Sequence, residues 1–274
     1  MDPTAIKEGQ KHIWTIGDFP DLATLIQPAS DAIIDALGIE AGDRVLDVAC
    51  GTGNLAIPAA KLGADVVGLD LTPRLLEVAR ERAVAEGVTV EWIEGDAEDL
   101  PFDDDSFDHV VSCFGMIFAP QHSRAAAEMR RVCRPGGGIA ITAWTKTGLN
   151  GTLFTVLGKH LPAPPEPMPS PVDWGEETYL RSCFGDLGPD MAIATEHIDF
   201  RAPSATEWVA YNEDKLGPVV MAKSVLEPLG KFDALRDDMI SHYEQADIGS
   251  DGEWSAEADY FLATGEEPTG PAPA

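Results

Sequence analysis

Residues Val45 to Ala59, VLDVACGTGNLAIPA, constrain the fold of this chain more than any other stretch. A short apolar run (Val45, Leu46, Val48) carries Asp47 near its end and turns through Ala49-Cys50-Gly51-Thr52-Gly53 into a helical pattern. Glycines at such a turn let the backbone come close to a ligand, and the free N–H groups of the following helix face the same point.

Strands then alternate with helices. Before the turn, Asp21–Leu37 has apolar residues at helical spacing, ended by Gly38, whereas residues 9–18 carry no clear pattern. Strand Val45–Val48 leads to helix Asn54–Leu62, and Asp65–Leu69 leads to helix Pro73–Glu86, with Thr72 as its expected cap. Strands follow at Thr89–Ile93, Phe107–Cys113 and Gly138–Trp144, with a helix at Ser123–Val132. This alternation predicts an α/β fold, a doubly wound, mostly parallel, Rossmann-like sheet. After Trp144 the pattern changes. Helix Leu149–Leu161 runs into residues 162–171, six of which are proline, a stiff extended segment. Beyond it are a helix near Glu176–Phe184, a strand Met191–Phe200, helices between Ser204 and Gln245, and a strand around Ala258–Ala263. The expected organisation is an N-terminal helical cover over 1–40 and a cofactor-binding core over 41–148. A C-terminal helical elaboration over 149–264 completes the sheet and roofs the pocket, and a frayed tail occupies 265–274.

Net charge narrows the partners. The chain carries 19 basic and 47 acidic residues, a formal charge of −28. Such a surface repels phosphate backbones and anionic membranes, so neither nucleic acid nor a membrane is expected as a partner. The start, Met1-Asp2-Pro3-Thr4, has no basic or apolar leader segment, and no apolar run reaches the length of a membrane span. Cys50, Cys113, Cys133 and Cys183 lie far apart with no CxxC spacing, which predicts reduced thiols in a cytoplasmic protein and no metal site. The oligomeric state is left open.

Ligands of such sheets sit outside the carboxyl ends of the strands, at the switch point of the strand order. Asp47, the Gly51/Gly53 turn, Asp70, Asp96 and Cys113–Phe114 all fall at those ends. A carboxylate beside the glycine turn repels a pyrophosphate and welcomes an ammonium or hydroxyl groups, which favours S-adenosylmethionine over a dinucleotide. Asp70 can accept both hydroxyls of a ribose. Asp96 either meets the exocyclic amine of an adenine or caps the acidic loop that follows it. Met116 and Phe118 continue an apolar run from Phe114 that suits pocket walls, and Trp14, Phe19 and Trp144 are either substrate-lining or core. His122 is a candidate general base, or else a polar residue at a helix start. Gly51–Ala56 also satisfies G-x-G-x-x-A, so an NAD(P)-dependent oxidoreductase stays open as an alternative.

Four segments in order, DVACGTGN, GLDLTPRLLEVAR, EGDAEDLPFDDDSFDHVVS and MRRVCRPGGGIAIT, resemble the successive motifs of class I S-adenosylmethionine-dependent methyltransferases. The likeness is above all to the small-molecule group that includes the ubiquinone/menaquinone-type (type 11) enzymes, and it spans about Ala41 to Thr145. It implies in-line methyl transfer from S-adenosylmethionine to a small organic acceptor. By the same resemblance Asp47, Ala49, Gly51 and Gly53 hold the methionine part, Asp70 the ribose, Asp96 and Ala97 the adenine, and Leu71 packs on the adenine face. Ala49 stands where the family usually has the first of three glycines. The turn Arg134 to Gly138 is expected to be structural. A protein that binds the cofactor without transferring methyl is the other open reading.

Overall fold

A computed structural model describes residues 3–16, 19–162, 169–250 and 252–269. The chain opens with three helices, α1 (Pro3–Ile16), α2 (Phe19–Leu25) and α3 (Gln27–Leu37). It continues through β1 (Arg44–Val48), α4 (Ala56–Lys61), β2 (Asp65–Asp70), α5 (Pro73–Ala85), β3 (Glu91–Glu94), β4 (Phe107–Cys113), α6 (His122–Val132) and β5 (Cys133–Trp144). The C-terminal part adds α7 (Leu149–His160), α8 (Glu177–Cys183), β6 (Ala192–Ala202), α9 (Ala205–Lys215), α10 (Gly217–Leu226), α11 (Phe232–Gln245) and β7 (Trp254–Glu266).

Seven strands form one sheet in the order β3–β2–β1–β4–β5–β7–β6. The first five run parallel and β7 pairs antiparallel with both β5 and β6. Alternation along each strand feeds two apolar layers. Val45, Val66, Val111 and Ala140 face one side, and Leu46, Val67, Val110 and Ile139 face the other. The strand order reverses between β1 and β4, and that is where a crevice opens.

Several local expectations are corrected. Residues 9–18 gave no pattern, yet α1 runs through Ile16. The helix expected over Asp21–Leu37 is two helices, because Pro28 lacks an N–H and sits in the first turn of α3. Gly38 closes α3 at φ 64°, donating to the Asp35 carbonyl. Thr72 precedes α5 but its side chain makes no capping bond; it turns back to Asp70 instead. Strand β5 begins at Cys133, and residues 134–137 bulge out between the pairs Phe107–Cys133 and His109–Gly138. Gly136 there has φ 75° and donates its N–H to the Glu267 carbonyl, while the Glu267 N–H donates to the Gly137 carbonyl. The tail is ordered further than expected, for Gly265 and Glu266 pair with Ile139 and Gly138, and Glu267 accepts from Nε and Nη2 of Arg130.

Candidate active site

A cavity of about 1560 Å³, counted out to the solvent at its mouth, lies at the carboxyl ends of β1, β2, β4 and β5. Helices α1, α2, α5, α7, α9, α10 and α11 and strand β6 add to the wall.

The turn after β1 is wound tightly. Ala49, Gly51 and Gly53 all take left-handed φ values, 56°, 55° and 82°. For Ala49 this costs about 1–2 kcal/mol relative to ordinary backbone, and Gly115 packs directly against it: a Cβ there would fall 2.2 Å from the Ala49 carbonyl oxygen. Two carboxylates clamp the turn. Asp47 Oδ2 accepts the Ala56 N–H at 3.1 Å, while Asp70 accepts from Gly51 N–H and Thr72 N–H, each at 2.8 Å. Arg82 of α5 braces it from outside, donating to the Thr52 carbonyl and hydroxyl and to Asn54 Oδ1.

Both acids are nearly closed to solvent and both border the cavity. Burial pushes the Asp47 carboxyl up to about 8, the Ala56 N–H opposes the rise and the charge of Asp70 adds to it. Asp70 is raised for the same reason, against the pull of the Thr72 and Gly51 N–H groups. Two buried carboxyls facing one space make it receptive to a cation and to hydroxyl groups.

Asp96 lies at the outer end and fills two roles at once. Its Oδ1 accepts the Glu98 N–H at 2.9 Å and its Oδ2 meets Lys7 Nζ at 2.5 Å, while the residue also lines the cavity. Lys7 bridges on to Glu98, Gln10 donates to the Phe118 carbonyl, and Trp14 sets its ring edge-on to Phe118 at 4.9 Å. These contacts hold α1 across the mouth. Phe114, at φ 55°, donates its N–H to the Thr142 hydroxyl and stacks on Trp144 at 4.0 Å. Beside it the Cys113 thiol, pushed up by burial to about 11, rests on Ser30 and Thr142.

Asp47, Ala49, Gly51, Asp70, Leu71, Asp96, Ala97, Cys113, Phe114, Met116, Phe118, Trp144 and Trp14 are therefore gathered around one space. Two other expected residues are not, and a third falls outside the described side chains. Gly53 is absent from the wall; its missing Cβ faces Trp92, which would lie 2.7 Å away, so its glycine serves packing. The candidate base His122 opens α6 at 3% exposure, outside the cavity. Its Nδ1 lies 2.9 Å from the Tyr179 hydroxyl, its ring packs near Trp174, and burial pushes it down to about 4. It is a neutral packing group. Phe19 begins α2, but its side chain lies outside the described residues. The sequence reading missed Lys7, Arg82, Asn150, Trp208, Asn212 and Tyr243. Only Trp208 and Asn212 carried a signal, an i, i+4 pair on a helix whose apolar face needed a partner.

Residues 45–137 match the family model described as a methyltransferase domain. An uncharacterized protein of Mycobacterium tuberculosis is 38% identical over 212 residues, covering 77% of each chain. The chain belongs to the methyltransferase-domain family. A demethylmenaquinone methyltransferase of Renibacterium salmoninarum is 42% identical over 129 residues, 47% of this methyltransferase and 52% of that enzyme. Among solved structures, the YcgJ protein of Bacillus subtilis superposes with a TM-score of 0.57 at 18% identity, covering 88% of this methyltransferase and 99% of YcgJ. The [4+2]-cyclase SpnF does so with 0.55 at 18%, covering 89% and 81%. These last likenesses concern the fold, which hosts more than one chemistry.

Proposed function

We propose that this methyltransferase transfers a methyl group from S-adenosylmethionine to a small, largely apolar organic acceptor. The observation that carries the reading is the pair Asp47 and Asp70, two buried acids beside a left-handed glycine turn. Their raised pKa values mark a place where a cationic, hydroxyl-bearing ligand relieves a cost the fold bears alone. That donor set fits the cofactor: Asp47 with the backbone of Ala49 and Gly51 would hold the methionine part, Asp70 the ribose, and Asp96, Ala97 and Leu71 the adenine. When bound, the cofactor supplies an electrophilic methyl on a sulfonium. The chain's own task is to align an acceptor and keep water out.

In this reading residues 41–148 bind the cofactor, while the cover over 1–40 and the part over 149–264 bind the acceptor. Trp14, Phe118, Phe154, Leu153 and Trp144 make the second half of the cavity apolar. Four unpaired cysteines support a reducing, cytoplasmic setting. No helix among the described residues is long and apolar enough to cross a membrane.

Asp70→Asn is the sharpest test. It keeps the side chain's shape but removes a charge-assisted acceptor, and should weaken S-adenosylmethionine by ~2 kcal/mol, more than tenfold. Unchanged affinity by calorimetry would move the site elsewhere. A likeness to a cyclase favours keeping cofactor binding without methyl transfer as the second reading; mass spectrometry of metabolite extracts incubated with the cofactor separates the two, since only methyl transfer yields products heavier by one methylene.

A further inference from the structure

Among the described residues, four buried side-chain nitrogens have no hydrogen-bond partner: His109 Nδ1, Trp174 Nε1, Trp208 Nε1 and Asn212 Nδ2. Two of them, Trp208 and Asn212, belong to residues that line the cavity. They sit one turn apart on α9, on one face, at 5% and 2% exposure. Trp208 is held between Tyr211 and Trp254, with ring centroids 5.5 Å away on each side, so its indole cannot turn to look for another partner. The Tyr243 hydroxyl lies beside the indole N–H, yet the two do not meet hydrogen-bond geometry. A buried donor without a partner is costly, and native structures rarely carry such groups.

We infer that Trp208 and Asn212 recognise an uncharged oxygen of the methyl acceptor, a carbonyl or ether-like atom on an otherwise apolar molecule. This rests on the methyl-transfer reading and names the acceptor's chemistry. An indole offers only a donor, so its partner must be an acceptor atom. The partner is not an anion because the described wall offers it no unengaged cation. Lys7 is the sole cationic residue among the described lining residues, and it is engaged by Asp96 and Glu98. A carboxylate or phosphate at α9 would be buried unpaired, which is prohibitive. The surrounding Phe200, Leu216, Pro218 and Leu157 take the apolar remainder. A site built to bond an oxygen rejects an analogue that lacks it far more strongly than an apolar pocket rejects a change of size.

The test uses two probes of one shape, benzophenone and 1,1-diphenylethylene, in which a methylene replaces the carbonyl oxygen. Their affinities are measured by calorimetry on the full chain, with and without S-adenosylhomocysteine. The wild type should bind benzophenone about tenfold more tightly than the alkene. In Asn212→Leu and in Trp208→Phe that preference should shrink to about twofold or less, with S-adenosylmethionine affinity unchanged. Asn212→Leu should also melt no lower than the wild type, since it removes an unpaired buried group; should it fail to fold, Trp208→Phe alone decides. Equal binding of the two probes, binding of neither, or a preference that survives both substitutions would overturn the inference. Failure to bind S-adenosylhomocysteine would count against the methyl-transfer reading only, because the probes are also compared without it.

Discussion

Asp47 concentrates the chemistry of the cofactor end. Its folded pKa, about 8, stands far above the ordinary carboxyl value of 3.8, first because it is buried and then because Asp70 lies near. An acid raised in this way stabilises the fold while protonated. That share is complete below 3.8 and is lost as pH rises through about 8, so the ligand-free protein should lose melting temperature across that window. A bound ammonium reverses the preference and favours the carboxylate. Binding of S-adenosylmethionine at pH 6.5 should therefore release a proton, and its affinity should climb as pH approaches 8. Calorimetry in two buffers of different ionisation enthalpy reads this directly; identical heats in both would show that Asp47 does not face the cofactor's charge. The positions at strand ends were legible because the strand pattern fixed them. What the sequence could not show is that Asp70 spends part of both its oxygens on the turn, through Gly51 and Thr72. Nor could it show that Ala49 holds a glycine-like conformation with Gly115 pressed against it.

At the scale of elements, α6 and α1 teach opposite lessons. The sequence allows His122 as a base or as a polar residue at a helix start; α6 does start at that residue, and turns it inward onto Tyr179 and Trp174. Its pKa is held at about 4, so it stays neutral near pH 7; the stability this gives is full above 6.5 and lost as pH falls through 4. His122→Gln should leave methyl transfer within about twofold of wild type and cost about 1 kcal/mol of stability, from the lost bond to Tyr179. A collapse of turnover with an unchanged melting temperature would restore it as a base. Helix α1 was illegible, since its contacts are made to residues about ninety positions away: Lys7 to Asp96 and Glu98, Lys11 to Glu94. Its apolar residues find partners just as remote in sequence, Trp14 on Phe118 and both Ile13 and Trp14 beside Gly217. Lys7→Met should loosen it, and cleavage within residues 7–15 under limited proteolysis should become several-fold faster. Equal cleavage rates would mean that Gln10 and Trp14 hold the helix without it.

For the whole molecule, the parallel half of the sheet was readable because each βα unit is local; a roof was expected from residues 1–40 and 149–264, but most of the side chains it sends into the cavity were not. The cavity wall draws on Trp14, Asp47, Asp96, Trp144, Trp208 and Tyr243, and no local rule ties segments so far apart in the chain. Strand β7 was seen only at its centre, although it pairs with distant β5 and β6 beyond the expected residues as well. Net charge is the one property that belongs to the molecule entire. With 47 acidic residues against 19 basic ones, the compact state gathers like charges that the unfolded chain keeps apart. Many of the cations are already committed: Arg130 to Asp186 and Glu267, Arg131 to Glu128 and Asp104, Arg236 to Glu213 and Asp233. Salt weakens those exposed pairs as well as the repulsion, but each surface pair contributes only about 0–1 kcal/mol, while the repulsion acts among all the excess carboxylates. Screening of repulsion should win. The melting temperature should therefore rise between 10 mM and 500 mM sodium chloride, concentrations at which the Debye length shrinks from about 30 Å to under 8 Å. The same field should keep DNA and RNA from shifting in a gel at any salt in that range. A melting temperature that fell with salt would mean that the ion pairs outweigh the excess charge. A gel shift that weakened steeply with salt would reveal a basic face that the ion pairs above leave no room for.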